Sequence, residues 1–302
     1  MAYEREATMA VSSEMVKELR AMTGAGILDC KKALEESGGD MAKAVEVLQK
    51  RNQAVALKKM SREAKDGKVG AWCSQDGRLG VLVEVNSETD FVARSDPFVA
   101  FVDQVCNHVA MKAPQSVEAA LEQPFAADQS RTLKDAMNDV IGRVGENLRL
   151  RRFQRYESAD GRVATYIHGG GRIGVIVEVG ADRPEVVGTE EFASVCKEAY
   201  LQIAAMSPMV VGRSDLPPDV VAKQREIALA QVGDISKKPP QVQEKILDGK
   251  LAKWYSEVCL LEQTYIRDDS MKFQDLLAEV GKKLGAKLEV RRFARFAIGE
   301  GL

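Results

Sequence analysis

The segments 66-DGKVGAWCSQDGRLGVLVEV-85 and 160-DGRVATYIHGGGRIGVIVEV-179 align without a gap, 94 positions apart. The register persists, with Phe98 falling on Phe192, Ala110 on Ala204 and Pro114 on Pro208. Further on, 130-SRTLKDAMNDVIGRV-144 and 145-GENLRLRRFQRY-156 match 270-SMKFQDLLAEVGKKL-284 and 285-GAKLEVRRFARF-296, now 140 positions apart. A chain that repeats itself in this way is constrained to two related units in tandem. The change of offset places 46 additional residues between Pro208 and Ser270 of the second copy.

Each copy has a readable order of elements. Val69 to Cys73 and Leu79 to Val85 carry β-formers joined by 74-SQDG-77, which predicts a hairpin. Phe98, Phe101, Val102, Val105 and Val109 recur every three or four residues, as on a helix. A second helix follows, and Leu148 to Phe153 returns as a strand. Two strands, a helix pair and a third strand make an antiparallel sheet with helices on one face, an α+β unit. Core subdomains are therefore expected over 66–156 and over 157–212 with 266–302. In the additional residues, a helical stretch from Asp219 to about Val232 meets the breaker 233-GDISKKPP-240. Leu247, Leu251, Trp254, Val258, Leu261 and Tyr265 then fall at coiled-coil spacing. A projecting helical hairpin over 213–265 is predicted, the alternative being two helices lying flat on the core.

Residues 1–52 read as a small helical bundle. Ser13 to Met22 and Gly26 to Ser37 form two short helices, 38-GGD-40 supplies a glycine stop and an Asp40 N-cap, and Met41, Ala44, Val45 and Leu48 line one face of a third. The segment 52-NQAVALKKMSREAKDGK-68 is polar and basic, with no core pattern of its own, and 53–65 are assigned as a linker. The bundle is thus expected to be a tethered module, or else a cap docked on the sheets.

Composition excludes several classes. Lys plus Arg, 43, nearly balances Asp plus Glu, 45, so no overall basic field draws the chain to nucleic acid or to an anionic membrane. The five cysteines are scattered and odd in number, as reduced thiols in a cytoplasmic chain would be. No apolar run approaches a membrane span, and Glu4 and Glu6 sit where a signal peptide would be basic. Gly169, Gly171 and Gly174 satisfy G-x-G-x-x-G, but a β-run follows where a dinucleotide site needs a helix, so a hairpin turn is the better reading. No phosphate loop motif occurs. With only His108, on an apolar helix, and His168, in a turn, a histidine metal site or a Ser-His-Asp triad lacks material. The runs 149-RLRRFQRY-156 and 291-RRFARF-296 could bind single-stranded nucleic acid, yet their recurrence in both copies favours solvated faces of structural strands.

One departure from the repeat stands out. In 86-NSETDFVARS-95, Thr89, Asp90 and Phe91 fall opposite Arg183, Pro184 and Glu185, although the flanking strand and helix still match. The second copy makes the same corner without an aromatic. Phe91 is either an anchor packed under its own sheet or a residue offered to a partner, and the repeat favours the partner.

Four ordered segments, 15-MVKELRAMTGAGILDCKKALEESGGDMAKAVEVL-48, 86-NSETDFVAR-94, 166-YIHGGGRIGVIVEV-179 and 250-KLAKWYSEVCLLEQ-263, with the ending 291-RRFARFAIGEGL-302, resemble the elongation factor Ts family over nearly the whole chain. These are nucleotide exchange factors for the translational GTPase elongation factor Tu. The connector 51-RNQAVALKKM-60 departs from the glycine-containing pattern of many members, and some members carry a helical segment beyond the position of Leu302. The resemblance implies a ubiquitin-associated-like N-terminal bundle, two related subdomains and a coiled-coil hairpin inserted in the second. It further implies binding to GDP-bound and nucleotide-free elongation factor Tu, with no cofactor, no covalent chemistry, and no direct nucleic-acid or membrane partner. Carried over residue by residue, Thr89, Asp90, Phe91 and Val92 would press on the GTPase domain near its Mg²⁺ site, and His168 with Gly169 would make a further contact. A single-stranded RNA-binding module and a dinucleotide enzyme using Gly169 to Gly174 are the competing classes.

Overall fold

The structure is a computed structural model that describes residues 11–232 and 239–301. The readings of residues 1–10 and of most of the breaker at 233–240 lie outside the described residues. The fold is α+β with small antiparallel sheets. Its contacts define two compact units, one of Met1–Gly70, Val83–Phe153 and Ile298–Leu302, the other of Ala71–Leu82 and Gln154–Ala297.

The first unit begins with α1 (Ser13–Thr23), α2 (Ile27–Glu36) and α3 (Met41–Lys59). The Ser12 hydroxyl accepts from the Met15 amide at 3.2 Å and the Asp40 carboxylate from the Lys43 amide at 3.1 Å, so a side chain caps the start of α1 and of α3. Val16, Leu19, Cys30, Ala33, Leu34, Ala44 and Leu48 close the small core between the three helices. There follow β1 (Asp66–Cys73), β2 (Leu79–Ser87), α4 (Asp90–Ala93), α5 (Asp96–Lys112), α6 (Val117–Glu122), β3 (Pro124–Phe125), β4 (Asp128–Thr132), α7 (Leu133–Val144) and β5 (Arg149–Glu157), with sheet order β1-β2-β5; residues 71–73 of β1, 79–82 of β2 and 154–157 of β5 are counted with the second unit. α5 lies close against β1: a Cβ on Gly70 would meet Val102 Cγ1 at 2.5 Å.

The assignment of 53–65 as linker needs correction, because α3 runs unbroken to Lys59 and packs along α7. Asn52 donates to Asp139 at 2.9 Å, Gln53 donates to Asp135 at 3.2 Å, and Lys59 donates to the Gly145 carbonyl. Gly142 provides the room, since a Cβ there would come within 2.2 Å of Asn52 Oδ1. The contact is largely polar, and Ala56 alone of 53–65 is buried, so no apolar stripe announces it. The segment is therefore docked on α7, not a free tether.

The second unit contains β6 (Arg162–His168), β7 (Ile173–Ala181), α8 (Glu190–Met206), α9 (Pro218–Val232), α10 (Pro240–Val258), β8 (Thr264–Tyr265), β9 (Asp268–Lys272), α11 (Phe273–Leu284) and β10 (Leu288–Ala297). Its sheet is antiparallel in the order β10-β7-β6, with Phe192, Val195, Ala199, Ile203 and Phe273 packed on Val175, Val177 and Val179. The two copies agree down to unfavourable details. α5 and α8 both end on a non-glycine residue in the left-handed region, Ala113 at φ 44° and Ser207 at φ 48°, a conformation that costs about 1–2 kcal/mol.

Inside each sheet the arginine pairs prove to be more than solvated faces. Arg151 and Arg152 converge on the fully buried Glu84, at 2.9 and 2.6 Å, and Arg291 and Arg292 reach Glu178 at 3.4 and 2.6 Å. Burial opposes ionisation of Glu178, but hydrogen bonds from Ser158, Arg292 and Arg291 prevail and hold its carboxyl below the usual range. His108 and Gln202, also 94 apart, are both buried. His108 Nδ1 accepts from the Ala126 amide at 3.2 Å and Gln202 Oε1 from the Ile266 amide at 3.0 Å, so the histidine does a glutamine's structural work.

α9 and α10 pair through Ala228, Leu247, Leu251 and Tyr255. The seam read from the sequence ends sooner than expected: Leu261 lies in a 3₁₀ turn and Tyr265 in β8. Backbone bonds stitch the base of this helix pair. Met209 N donates to Val258 O at 2.8 Å, Leu260 N to Val210 O at 2.9 Å and Leu261 N to Val211 O at 3.1 Å. The chain thus returns to within one bridge of where it left the unit, Val210 pairing with Cys259.

Because the base is closed by its own backbone bonds, replacing 218–257 with a short Gly-Ser link should leave the protein melting cooperatively. Calorimetry showing a broad, non-cooperative transition would place the helix pair in the core instead. A second expectation concerns pH. Burial, the dominant effect, holds the His108 imidazole below its ordinary 6.5, against the hydrogen bonds offered by Ala120 and Gln123. Below about pH 6.5 the unfolded chain takes up a proton that the folded chain resists, so stability falls as pH falls. His108→Gln, which copies Gln202, should show a smaller loss of denaturation midpoint between pH 7.5 and pH 5.5 than the parent chain; an equal loss would show that His108 does not titrate in this way.

Candidate functional site

Strand β2 leaves the core at Ser87, and the chain turns at once into α4, a single helical turn. Thr89 makes this possible. Its hydroxyl accepts from the Val92 amide at 3.4 Å as N-cap, and it donates to Glu146 twice, from its amide at 3.0 Å and from its hydroxyl at 2.7 Å. Glu88 accepts from the Asn147 amide at 2.7 Å, and Asn147 Nδ2 donates to the Arg62 carbonyl at 2.8 Å. The short helix is therefore tied to the stretch before β5 at two successive residues. Asp90 pairs with Arg94 one turn on, and the Ser95 hydroxyl donates to the Val92 carbonyl at 2.8 Å.

On this braced turn Phe91 is 84% exposed, whereas Ala93 is buried and Val92 half-buried. The alternative of an anchor under the sheet is thereby overturned: the ring packs under nothing. Exposing a whole phenyl ring forgoes roughly 1.5–3 kcal/mol of burial, which makes it the most prominent apolar group near α4. Further exposed apolar side chains in the same unit include Met22, near the end of α1, and Ile27 and Leu28, at the start of α2, along with Leu57, Met60 and Met111.

His168 and Gly169 belong to the other unit, at the turn from β6 to β7. Gly169, Gly170 and Gly171 take φ of 59°, 67° and 103°, a run that side-chain-bearing residues rarely adopt. A strand follows them, so the G-x-G-x-x-G spelling serves a hairpin turn. His168 is exposed, and its Nδ1 lies 2.9 Å from the Tyr166 hydroxyl. Tyr166 in turn stacks on Tyr200 of α8, with ring centroids 5.0 Å apart and planes 6° from parallel. Burial raises the pKa of the Tyr200 phenol, keeping it neutral.

The family model described as Elongation factor TS matches residues 88–300. This chain belongs to the elongation factor Ts family. Curated proteins named Elongation factor Ts are similar to it over nearly their whole length. The one from Trichlorobacter lovleyi is 45% identical over 97% of this chain and 94% of its own. Those from Symbiobacterium thermophilum and Bdellovibrio bacteriovorus are 44% and 43% identical, each over 97% of this chain and over 93% and 94% of their own. The elongation factor Ts match opens at Glu88, the residue that leads into α4, and takes in both Phe91 and His168.

The sequence reading missed the partners that hold these residues. Glu146 aligns with Ala286 at offset 140 and Thr89 with Arg183 at offset 94, so the repeat departs at both ends of the Thr89–Glu146 bonds, whereas the Asn147 amide to Glu88 bond is kept in the second copy by Lys287 N and Asp182 at 2.7 Å. Two departures that touch in space are the signal that could have exposed the bracing of α4. Tyr166 and Tyr200 carried no comparable mark.

Since Phe91 buries nothing in the free protein, Phe91→Ala should change unfolding free energy by less than about 1 kcal/mol, against roughly 3–5 kcal/mol for the buried Phe98→Ala. Urea denaturation of the two variants side by side decides it; comparable losses would return Phe91 to the core.

Proposed function

We propose that this chain is a guanine nucleotide exchange factor for elongation factor Tu, acting in the cytoplasm by binding without covalent chemistry, nucleotide or cofactor of its own. Family membership supports the role, and the observation that carries the mechanism is the exposed Phe91 on a helical turn braced by Glu146. An exchange factor binds the nucleotide-free GTPase better than the GDP-bound one, and by reciprocity it weakens GDP by the same free energy. The GTPase holds GDP through its phosphate loop and Mg²⁺, so a wedge that disturbs either speeds release and then GTP loading. In this reading Thr89 sets the turn, Asp90 and Phe91 enter near the Mg²⁺ site with Val92 behind them, and His168 with Gly169 makes a separate contact.

Burying one phenyl ring in the partner, about 1.5–3 kcal/mol, suffices to bias a two-state element tenfold or more. A nanomolar complex needs about 12 kcal/mol, so the interface must be broad. We assign it to three places: α1 to α3 as a ubiquitin-associated-like module docking on the GTPase domain, and the two related subdomains formed by β1 to β5 and by β6 to β10. The paired helices α9 and α10 are read as an insertion in the second subdomain. The GDP-bound and nucleotide-free forms are the partners, and neither nucleic acid nor a membrane is required.

Release of a fluorescent GDP analogue from elongation factor Tu should accelerate at substoichiometric amounts of this chain. Phe91→Ala should slow that exchange by about tenfold or more, with Asp90→Ala acting in the same direction. Unchanged release across a micromolar titration of the parent protein would remove the assignment altogether.

A further inference from the structure

Ala164, Tyr166 and His168 alternate along β6 and so share one face of the strand. α8 packs on β6, and there the parallel stack of Tyr166 on Tyr200 fixes the plane of the Tyr166 ring. A stacked ring on a strand has little rotational freedom, so its hydroxyl is a fixed point. That hydroxyl lies 2.9 Å from His168 Nδ1, and the two rings are 5.9 Å apart at 40°. His168 is exposed and lies beside glycines at positive φ, so this contact is what orients its imidazole.

We infer that Tyr166 is a positioning residue: its O–H donates to His168 Nδ1, fixes the neutral ring as the Nε2–H tautomer, and aims that N–H outward as a donor for the partner. A phenol O–H is a stronger donor than a neutral imidazole N–H, and an imidazole nitrogen a stronger acceptor than a phenol oxygen, which decides the direction of the bond. Which nitrogen carries the proton is set by the bond the other makes. The outward Nε2–H then seeks an acceptor, a carbonyl or carboxamide oxygen of the docked protein. Tyr200 acts one step further back, by holding the ring that holds the ring. This inference rests on the proposed contact between His168 and elongation factor Tu.

The test uses the full chain labelled with ¹⁵N in histidine. At a pH where the ring is neutral, the two imidazole nitrogens of His168 should show one protonated Nε2 and one Nδ1 accepting a hydrogen bond. In Tyr166→Phe, which keeps the stack and loses only the hydroxyl, both nitrogens should move toward averaged values as the tautomers mix, while the melting temperature stays within a few degrees. Exchange on elongation factor Tu should fall by roughly three- to tenfold, the range of one hydrogen bond. The double variant with His168→Ala should be no slower than His168→Ala alone. An unchanged tautomer in Tyr166→Phe would overturn the positioning role. Normal exchange by His168→Ala would instead overturn the placing of His168 at the interface, and the inference with it.

Discussion

A carboxylate stripped of water inside a sheet is tolerable only when it is fully paired, and both three-stranded sheets of this protein are built around one. Glu84 and Glu178 occupy the same position in the central strands β2 and β7, and each receives two consecutive arginines from the third strand. Consecutive residues on a regular strand point to opposite faces, so one of the two would ordinarily miss. In the second sheet the register shifts between Val290 and Arg292, and this bulge lets Arg291 and Arg292 reach the same carboxylate. Slipping either third strand by one residue would set a buried charge against apolar side chains, so the ion pairs specify the register. Leaving such a buried carboxylate without its arginines costs far more than the pairs contribute net to stability.

The repeat made the sheets, the helix pairs and the extra helices legible, because apolar periodicity reports whatever faces a core. Polar structure was not legible in that way. The continuation of α3 over Asn52, Gln53 and Lys59 bonds to α7 through amides, carboxylates and a carbonyl, groups that solvent-facing residues also carry. Leu261 and Tyr265 kept helical spacing although the helix had ended at Val258, since residues buried in a turn and in a short strand can fall at that spacing by coincidence. The arginine pairs were visible as a pattern, but their meaning depended on Glu84 and Glu178, which lie in apolar runs where a single acid draws no notice.

Phe91 is better described by what surrounds it than by its own exposure. A flexible loop bearing an exposed aromatic would hide the ring against the nearest apolar surface. Here two acids, Glu88 after β2 and Glu146 before β5, clamp the turn, so that the ring is held out on a backbone that is already ordered. The same logic recurs at His168, where glycines free the backbone and a stacked tyrosine takes over the task of orientation.

The gap over Gly142 reaches further than local packing. Its counterpart at offset 140 is Lys282, in an otherwise matching helix whose flank lines an open groove of about 870 Å³ with Leu277, Ala278 and Gly281. Two near-identical seats would leave the leading helices free to choose between them, and a population of misplaced chains would follow. A lysine at the second position puts a long, strongly hydrated side chain where α7 has bare backbone, so α11 lacks the gap that admits Asn52. A missing Cβ on one helix and a surplus butylammonium on the other thereby distinguish the copy of a duplicated scaffold that takes the N-terminal helices from the copy that does not.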